Sequence, residues 1–417
     1  MRFLHISDLH LGKVIHGVSM LENGDQPVWV ERFLALAEEL RPQAVVIAGD
    51  VYDRGNPSGA AVELLSRMLE RLADMDISVM LTAGNHDSGQ RLAFAREILA
   101  KQGVHIAGTV KKEMTRVVIP DDDGPVTFWL MPYVFPAAVA QVLGDDSIRD
   151  YDAAVRRLLE VQDIDPAGRN VIIAHQNVTA FGVEAPRGGS ESSVGGIGQV
   201  EYTAFDVFDY AALGHIHAAY PVGREEVRFA GSPLCYHFDE TRQEAKGPLL
   251  IEMGAKGTPL RIERCSIPPL HPMREMRGSY EELRERELAS STRDEYLRLV
   301  ITDQPLSPEI SSFFQSLAES RGSILMDRIS EYRRFTDDIR GTSAHAVREK
   351  TTEELFADFY RDRSGGEEPD EADLALLREA GELLRNSHPE PGHRSRVSTE
   401  TVDALLNWLK RQEVAAE

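Results

Sequence analysis

The feature that most limits what this chain can fold into is a rhythm in its first 265 residues. Short apolar runs alternate there with stretches of helical periodicity. Residues 2–6 (RFLHI), 44–48 (AVVIA), 78–82 (SVMLT), 126–131 (VTFWLM), 170–174 (NVIIA) and 210–213 (YAAL) read as buried strands. Residues 28–40, 59–75 and 148–162 read as amphipathic helices. No apolar run approaches the roughly 20 residues needed to span a bilayer. Strands interleaved with helices predict a layered α/β architecture, because each apolar face must be covered by another element. The later stretches EVRFAGSPL, GPLLIEM and TPLRIERC are strand-rich, so one sheet is expected to be mixed.

The chain has 417 residues, which predicts two or three domains rather than one core. The proline-marked segment IPPLHPMREMRG, residues 267–278, reads as a boundary. Beyond it, helix 279–289, strand 295–301, helix 307–320 and strand 323–329 predict a compact α/β appendage. The character changes again from residue 340. Thr351 and Glu354 fit a capping box, followed by Leu355, Phe356, Phe359 and Tyr360 at helical spacing. The acidic linker RSGGEEPDEAD precedes further expected helices at 371–386 and 399–412. These shifts divide the chain into 1–268, 269–340 and 341–417.

The N-terminus lacks the apolar stretch of a secretory signal and reads as a first strand. Cys235 and Cys265 make neither a disulfide framework nor a zinc spacing, so a cytoplasmic chain with free thiols is expected. The net charge of −22 repels nucleic acid at long range. A DNA substrate would therefore need local positive charge, from bound ions or from a partner protein.

The polar residues at the strand ends form one constellation. Strand one ends in SDLHLG (Asp8, His10), the second in GDVYDRG (Asp50, Asp53), and the third in GNHD (Asn85, His86, Asp87). The run at 170–174 ends in His175, and that at 210–213 in GHIH (His215, His217). Ligands of open α/β sheets gather at the carboxyl ends of strands. On an extended segment, D-x-H and H-x-H point both side chains to one side. Two Asp, an Asn and several His are an oxygen and nitrogen donor set without sulfur, suited to manganese, iron or zinc. His5, His16, His105, His237 and His271 have no comparable partners in the sequence and are expected to be packed or at the surface.

The order D-x-H, GDxxD, GNHD, a lone His and GHIH resembles the calcineurin-like metallophosphoesterases. The fuller stretches FLHISDLHLG, AGDVYDRGNPS, TAGNHDS, ALGHIH and FAGSPLCYHFDE are similar to the SbcD family of nuclease subunits. That resemblance implies a sandwich of mixed β-sheets flanked by helices (1–268), a small α/β DNA-capping domain (269–340) and a helical, partner-binding tail (341–417). It implies a centre of two divalent ions, manganese being the family expectation and magnesium or iron alternatives. Asp50 would bridge the ions. Asp8, His10 and His217 would complete one site, and Asn85, His175 and His215 the other. His86, next to Asn85 and so expected to point away from the same ion, would face the scissile phosphate and donate a proton to the leaving oxygen. Asp87 would orient its imidazole, with Gly84 and Gly89 allowing the tight loop.

Asp53 would either hydrogen-bond a ligand histidine or cap the following region. Arg54 would either contact phosphate or be solvated. The implied activity is 3′-to-5′ exonuclease and single-strand or hairpin endonuclease action on DNA, in double-strand-break processing. The implied partners are a second copy of the chain, paired through helices near the active face at 59–75 and 91–100, and an SbcC-type coiled-coil ATPase, giving a heterotetramer. The apolar faces at 355–360 and 402–409 (Val402, Leu405, Leu406, Leu409) would either receive the ATPase or pack back on the chain's own surface. A phosphatase or cyclic-nucleotide phosphodiesterase of the same fold, and a non-enzymatic scaffold, are the competing classes.

Overall fold

The structure, a computed structural model, describes residues 1–180, 198–242 and 245–332. The six apolar runs form the strands Arg2–Ile6, Ala44–Ala48, Ser78–Thr82, Gly124–Met131, Arg169–His175 and Tyr210–Gly214. They divide between two six-stranded sheets. Across the first sheet the order is Arg261–Arg264, Leu249–Glu252, Arg2–Ile6, Ala44–Ala48, Ser78–Thr82, Val104–Ala107. Its last four strands are parallel, with Leu4 beside Val45, Val45 beside Val79 and Val79 beside Val104. Leu249–Glu252 joins antiparallel. Across the second sheet the order is Pro221–Val222, Arg224–Phe229, Tyr210–Gly214, Arg169–His175, Gly124–Met131, Thr115–Asp121. Its central four strands are parallel and its two edges antiparallel. Both sheets are thus mixed, as the family resemblance implies; the strand-rich later stretches by themselves pointed to one.

The sheets pack face to face. Phe3, Val46, Met80, Phe128, Ile173, Tyr210 and Leu249 fill the space between them. The Phe3 ring meets Phe128 edge-on at 5.4 Å. Helices Asp25–Leu40 and Gly59–Asp74 cover the outer face of the first sheet, over Val45, Ile47, Val79 and Leu81. Helices Pro136–Leu143 and Tyr151–Glu160 cover the second, over Ile172, Ala211 and Leu213. A strand covered on both faces must be apolar at nearly every position, which is why these runs do not alternate. Each buried Val, Leu, Ile or Phe side chain contributes about 1.5–3 kcal/mol, so the four layers hold the strand ends in fixed positions.

Two helices differ from expectation. Residues 91–100 are not one helix but the short turns Gly89–Leu92 and Arg96–Leu99, because Ala95 between them adopts φ 58°. Pro136–Leu143, with Pro136 in its first turn, was not foreseen.

The appendage is a parallel three-stranded sheet, Met273–Gly278, Tyr296–Ile301 and Ile324–Ser330, linked by helices Tyr280–Ala289 and Pro308–Glu319. Ser279 and Glu282 close a capping box on the first helix, and Ser307 caps the second. The appendage's first strand runs through the second half of the proline-marked segment that predicts a boundary. Met276, Leu297, Leu299 and Phe314 form the appendage's own core. It belongs to the compact unit Met1–Tyr332, held by a polar knot on buried Asp25. Tyr296 donates its hydroxyl to Asp25 Oδ2 at 2.5 Å, and His271 Nδ1 lies 3.0 Å from Asp25 Oδ1. His271 therefore has a partner after all.

The expected capping box at Thr351 and Glu354, the helices at 371–386 and 399–412, and the faces at 355–360 and 402–409 lie outside the described residues. Among the described residues no helix is long and apolar enough to cross a membrane.

Candidate metal centre

The carboxyl ends of the two sheets open at the same end of the sandwich, and the loops there bring the strand-end residues together. Asp8, His10 and His217 form one group, Asp8, Asp50 and His175 a second, and His10, Asp50 and His86 a third. Within each group the donor atoms lie within 4.8 Å of one another. Asp50 Oδ2 stands between them, 3.3 Å from His175 Nε2, 3.7 Å from His10 Nε2 and 3.9 Å from His86 Nε2. Asn85 Oδ1 lies 3.1 Å from both His175 Nε2 and His215 Nδ1.

The backbone is bent sharply to achieve this. Asp8, His10, Asp50 and His215 all adopt positive φ, at 53°, 42°, 46° and 106°. Such conformations cost on the order of 1–3 kcal/mol each and persist where surrounding structure dictates them. Gly84 serves by close approach: a Cβ there would fall on the Asp50 carboxyl and its backbone nitrogen. Gly89 likewise packs against the Gly108 carbonyl.

The donor chemistry tests whether this cluster suits a cation. His175 donates Nδ1–H to the Ala48 carbonyl at 2.8 Å, so Nε2 is the nitrogen left to serve the site. That nitrogen faces the oxygens of Asn85 and Asp50, where it holds either a proton or a cation. His217 donates Nδ1–H to Glu240 at 3.1 Å, and its Nε2 faces His10 Nε2 at 3.2 Å. Carboxylate, amide and imidazole donor atoms thus converge on gaps that protons on the ring nitrogens fill only in part. A divalent cation is the species such a set accommodates. Burial, reinforced by charge on His175, lowers His215 to about 3 and keeps it a neutral donor. Burial also disfavours charge on His175, yet the Asp50 carboxylate lifts its pKa to about 10. The spot beside Asp50 attracts positive charge strongly.

The supporting residues differ in part from expectation. Asp87 does not reach the His86 ring. Its carboxylate accepts the backbone N–H groups of Val51, Tyr52 and Gly84 at 3.1, 2.9 and 2.9 Å, tying the second and third ligand loops together. The partner of His86 Nδ1 is instead the Asp53 carbonyl oxygen, 3.0 Å away. This turns His86 Nε2 toward Asp50, whereas adjacency to Asn85 had suggested that the ring points elsewhere. The Asp53 carboxylate binds Lys13 at 2.8 Å and lies 3.7 Å from His10 Nδ1. The Arg54 side chain is 79% exposed, with Nε 3.6 Å from Asp53.

Two supporting residues were missed. Glu240, buried within the SPLCYHFDE stretch, accepts from His217, Lys246 and Ser232 at 3.1, 2.8 and 3.2 Å. Gln26, at the start of helix Asp25–Leu40, donates to the Leu9 and His10 carbonyls at 3.2 and 2.7 Å and accepts from Gly12 N–H at 2.8 Å. Glu240 stands in a polar run, after Asp239 and before Thr241 and Arg242, so only its place in the SPLCYHFDE stretch marked it, and Gln26 carried no signal.

Comparison with known proteins follows the same lines. Residues 1–219 match the family model for calcineurin-like phosphoesterases. The chain belongs to that family. Residues 269–364 match the SbcD C-terminal model, described as type 5 capsule protein repressor C-terminal domain. The two matches in this order support the SbcD-like resemblance of the motifs. Among solved structures, the chain is similar to a protein of Thermus thermophilus, at 10% identity and a TM-score of 0.35, covering 63% of this chain and 98% of that one. It is also similar to a dimetal phosphatase from Danio rerio, at 12% identity and a TM-score of 0.39, covering 65% and 98%.

Proposed function

We propose that this chain is a metal-dependent DNA phosphodiesterase acting at a centre for two divalent ions. The observation that carries the reading is the position of Asp50, whose Oδ2 stands between donors on two sides. Asp50 would be shared. Asp8, His10 and His217 would hold one ion, and Asn85, His175 and His215 the other, manganese being the ion we expect. When bound, such a pair supplies Lewis acidity at a phosphate oxygen and lowers the pKa of water.

The chain's own residues do the rest. With Nδ1–H committed to the Asp53 carbonyl, His86 exchanges its proton at Nε2, the atom turned toward the site. An imidazole there suits proton donation to a departing oxygen. Asp87 keeps the loops of Asp50 and His86 in register. Arg54, with its exposed guanidinium, would meet phosphate at the rim.

DNA as the substrate is supported by the second family match, and the metal centre answers part of the charge problem. The remainder falls to an SbcC-type coiled-coil ATPase, with residues 1–268 as nuclease domain, 269–340 as DNA-capping domain and 341–417 as docking segment. Pairing of two copies is supported by the exposed Val62, Phe94 and Ile98. On this reading the complex trims 3′ ends and opens hairpins at double-strand breaks. The test is manganese-dependent release of nucleotides from linear DNA, with and without the ATPase, beside turnover of small phosphate esters. Ester turnover with intact DNA would replace this reading by a phosphatase.

A further inference from the structure

The rim of the metal centre carries aromatic surface that the chemistry above does not use. Strand Gly124–Met131 ends at the same end of the second sheet as His175, and the chain continues through Pro132, Tyr133, Val134 and Phe135 into helix Pro136–Leu143. Tyr133 N–H donates to the Ala83 carbonyl at 2.8 Å, which ties this loop to the first sheet just ahead of Gly84 and Asn85. The Tyr133 ring then lies 6.1 Å from the His175 ring and 6.2 Å from the His215 ring. Val134 is buried in the second core, and residues on either side of it share the opposite direction. Phe135 lies edge-on against Tyr133 at 4.8 Å, yet it is 52% exposed. The exposed Phe135 ring, held against Tyr133 on a loop tied to both sheets, thus extends the aromatic surface that begins beside His175 and His215.

We propose that Tyr133 and Phe135 form a stacking platform for the nucleobase attached to the phosphate held at the metal centre. The proposal rests on the phosphodiesterase reading and deepens it. A phosphate on the His175 and His215 side has its own base one sugar's length away, within reach of a ring that starts beside those histidines. Every base offers a π-face, so the platform accepts all four and rejects esters that carry none. Stacking also needs no positive charge, which suits a chain of net charge −22.

The test uses the full chain with manganese and two oligonucleotides, identical except that the residue at the cleaved end carries a base in one and is abasic in the other. Wild type should favour the base-bearing oligonucleotide in kcat/KM by about 5- to 150-fold, the range of one base–aromatic stack. Phe135→Ala should lose most of that factor on the base-bearing oligonucleotide and almost nothing on the abasic one. Tyr133→Leu should do the same if its altered packing leaves the loop in place, and Phe135, being exposed, tests the idea without that condition. The ratio should persist between about 50 and 200 mM salt, since no phosphate contact is lost. An equal loss on both oligonucleotides, or no loss on either, would overturn the platform; the latter would leave Phe135 as a protein contact. A wild-type chain that cleaves neither while hydrolysing small esters would overturn the DNA reading itself.

Discussion

Exchanging Glu240 for Gln removes one charge and almost no volume from beneath the metal centre. Glu240 is 1% exposed and accepts from His217, Ser232 and Lys246. Burial works against its ionisation, but the His217 hydrogen bond and the Lys246 ammonium outweigh it and pull the carboxyl from 4.5 down to about 2. A depression of that size corresponds to on the order of 3 kcal/mol of stability from the ionised form. Breaking a buried ion pair costs about 3–5 kcal/mol when the remaining charge is stranded. Lys246 keeps the His217 carbonyl at 2.9 Å and the Ser232 hydroxyl at 2.8 Å, so the lower end applies.

The glutamine carbonyl still accepts from His217 Nδ1–H. That bond falls from a charge-assisted one to a neutral one, a loss of about 1 kcal/mol, or about 5-fold in affinity for an ion at His217. The sign with pH follows from the lowered pKa. Wild type holds this contribution above about pH 4.5 and loses it as pH falls toward about 2; E240Q lacks it throughout. Manganese titration of the metal-free proteins by calorimetry, with denaturant unfolding from pH 7 to 3, measures both effects. Equal stability of the two proteins at pH 7, or a difference that stays constant from pH 7 down to pH 3, would refute the reasoning.

Other perturbations separate the roles of neighbouring residues. His86→Ala should keep manganese affinity within a few-fold but slow cleavage by roughly 10²–10⁴-fold; normal cleavage would remove its assigned role. Asp50→Ala should abolish tight manganese binding at both positions, and retention of two ions per chain would disprove the sharing. Asp87→Ala strands three backbone N–H groups and should lower stability by about 3 kcal/mol or more, with metal binding weakened in the folded fraction; a stability change under 1 kcal/mol in urea would contradict the geometry. Gly84→Ala sets a Cβ on Asp50, and an unaltered metal titration of that variant would show that the two loops are not packed as described.

The strands were legible because each is buried on both faces, which leaves an apolar run with nothing else to explain it. Strand Thr115–Asp121 was not, since it is an edge with alternate residues in solvent and Pro120 near its end. The polar cluster was legible in its residue types and spacing, and Asp8, His10, Asp50, Asn85, His175, His215 and His217 do meet in space. What the sequence could not carry was how they are held. The positive φ of Asp8, His10, Asp50 and His215 leaves no compositional trace. Whether Asp87 faces an imidazole or three amides depends on two loops separated by about thirty residues. Gln26 looked like any polar residue at a helix start.

Asp25 and Gln26 are consecutive residues, and they fasten different things. Asp25 grips the appendage through Tyr296 and His271; Gln26 grips the backbone of Leu9 and His10. A single helical turn is thus a rivet through two plates. Heating should not peel the appendage away and leave a working centre behind: a calorimetric scan of residues 1–332 would register one endotherm, with ion release riding on the same curve.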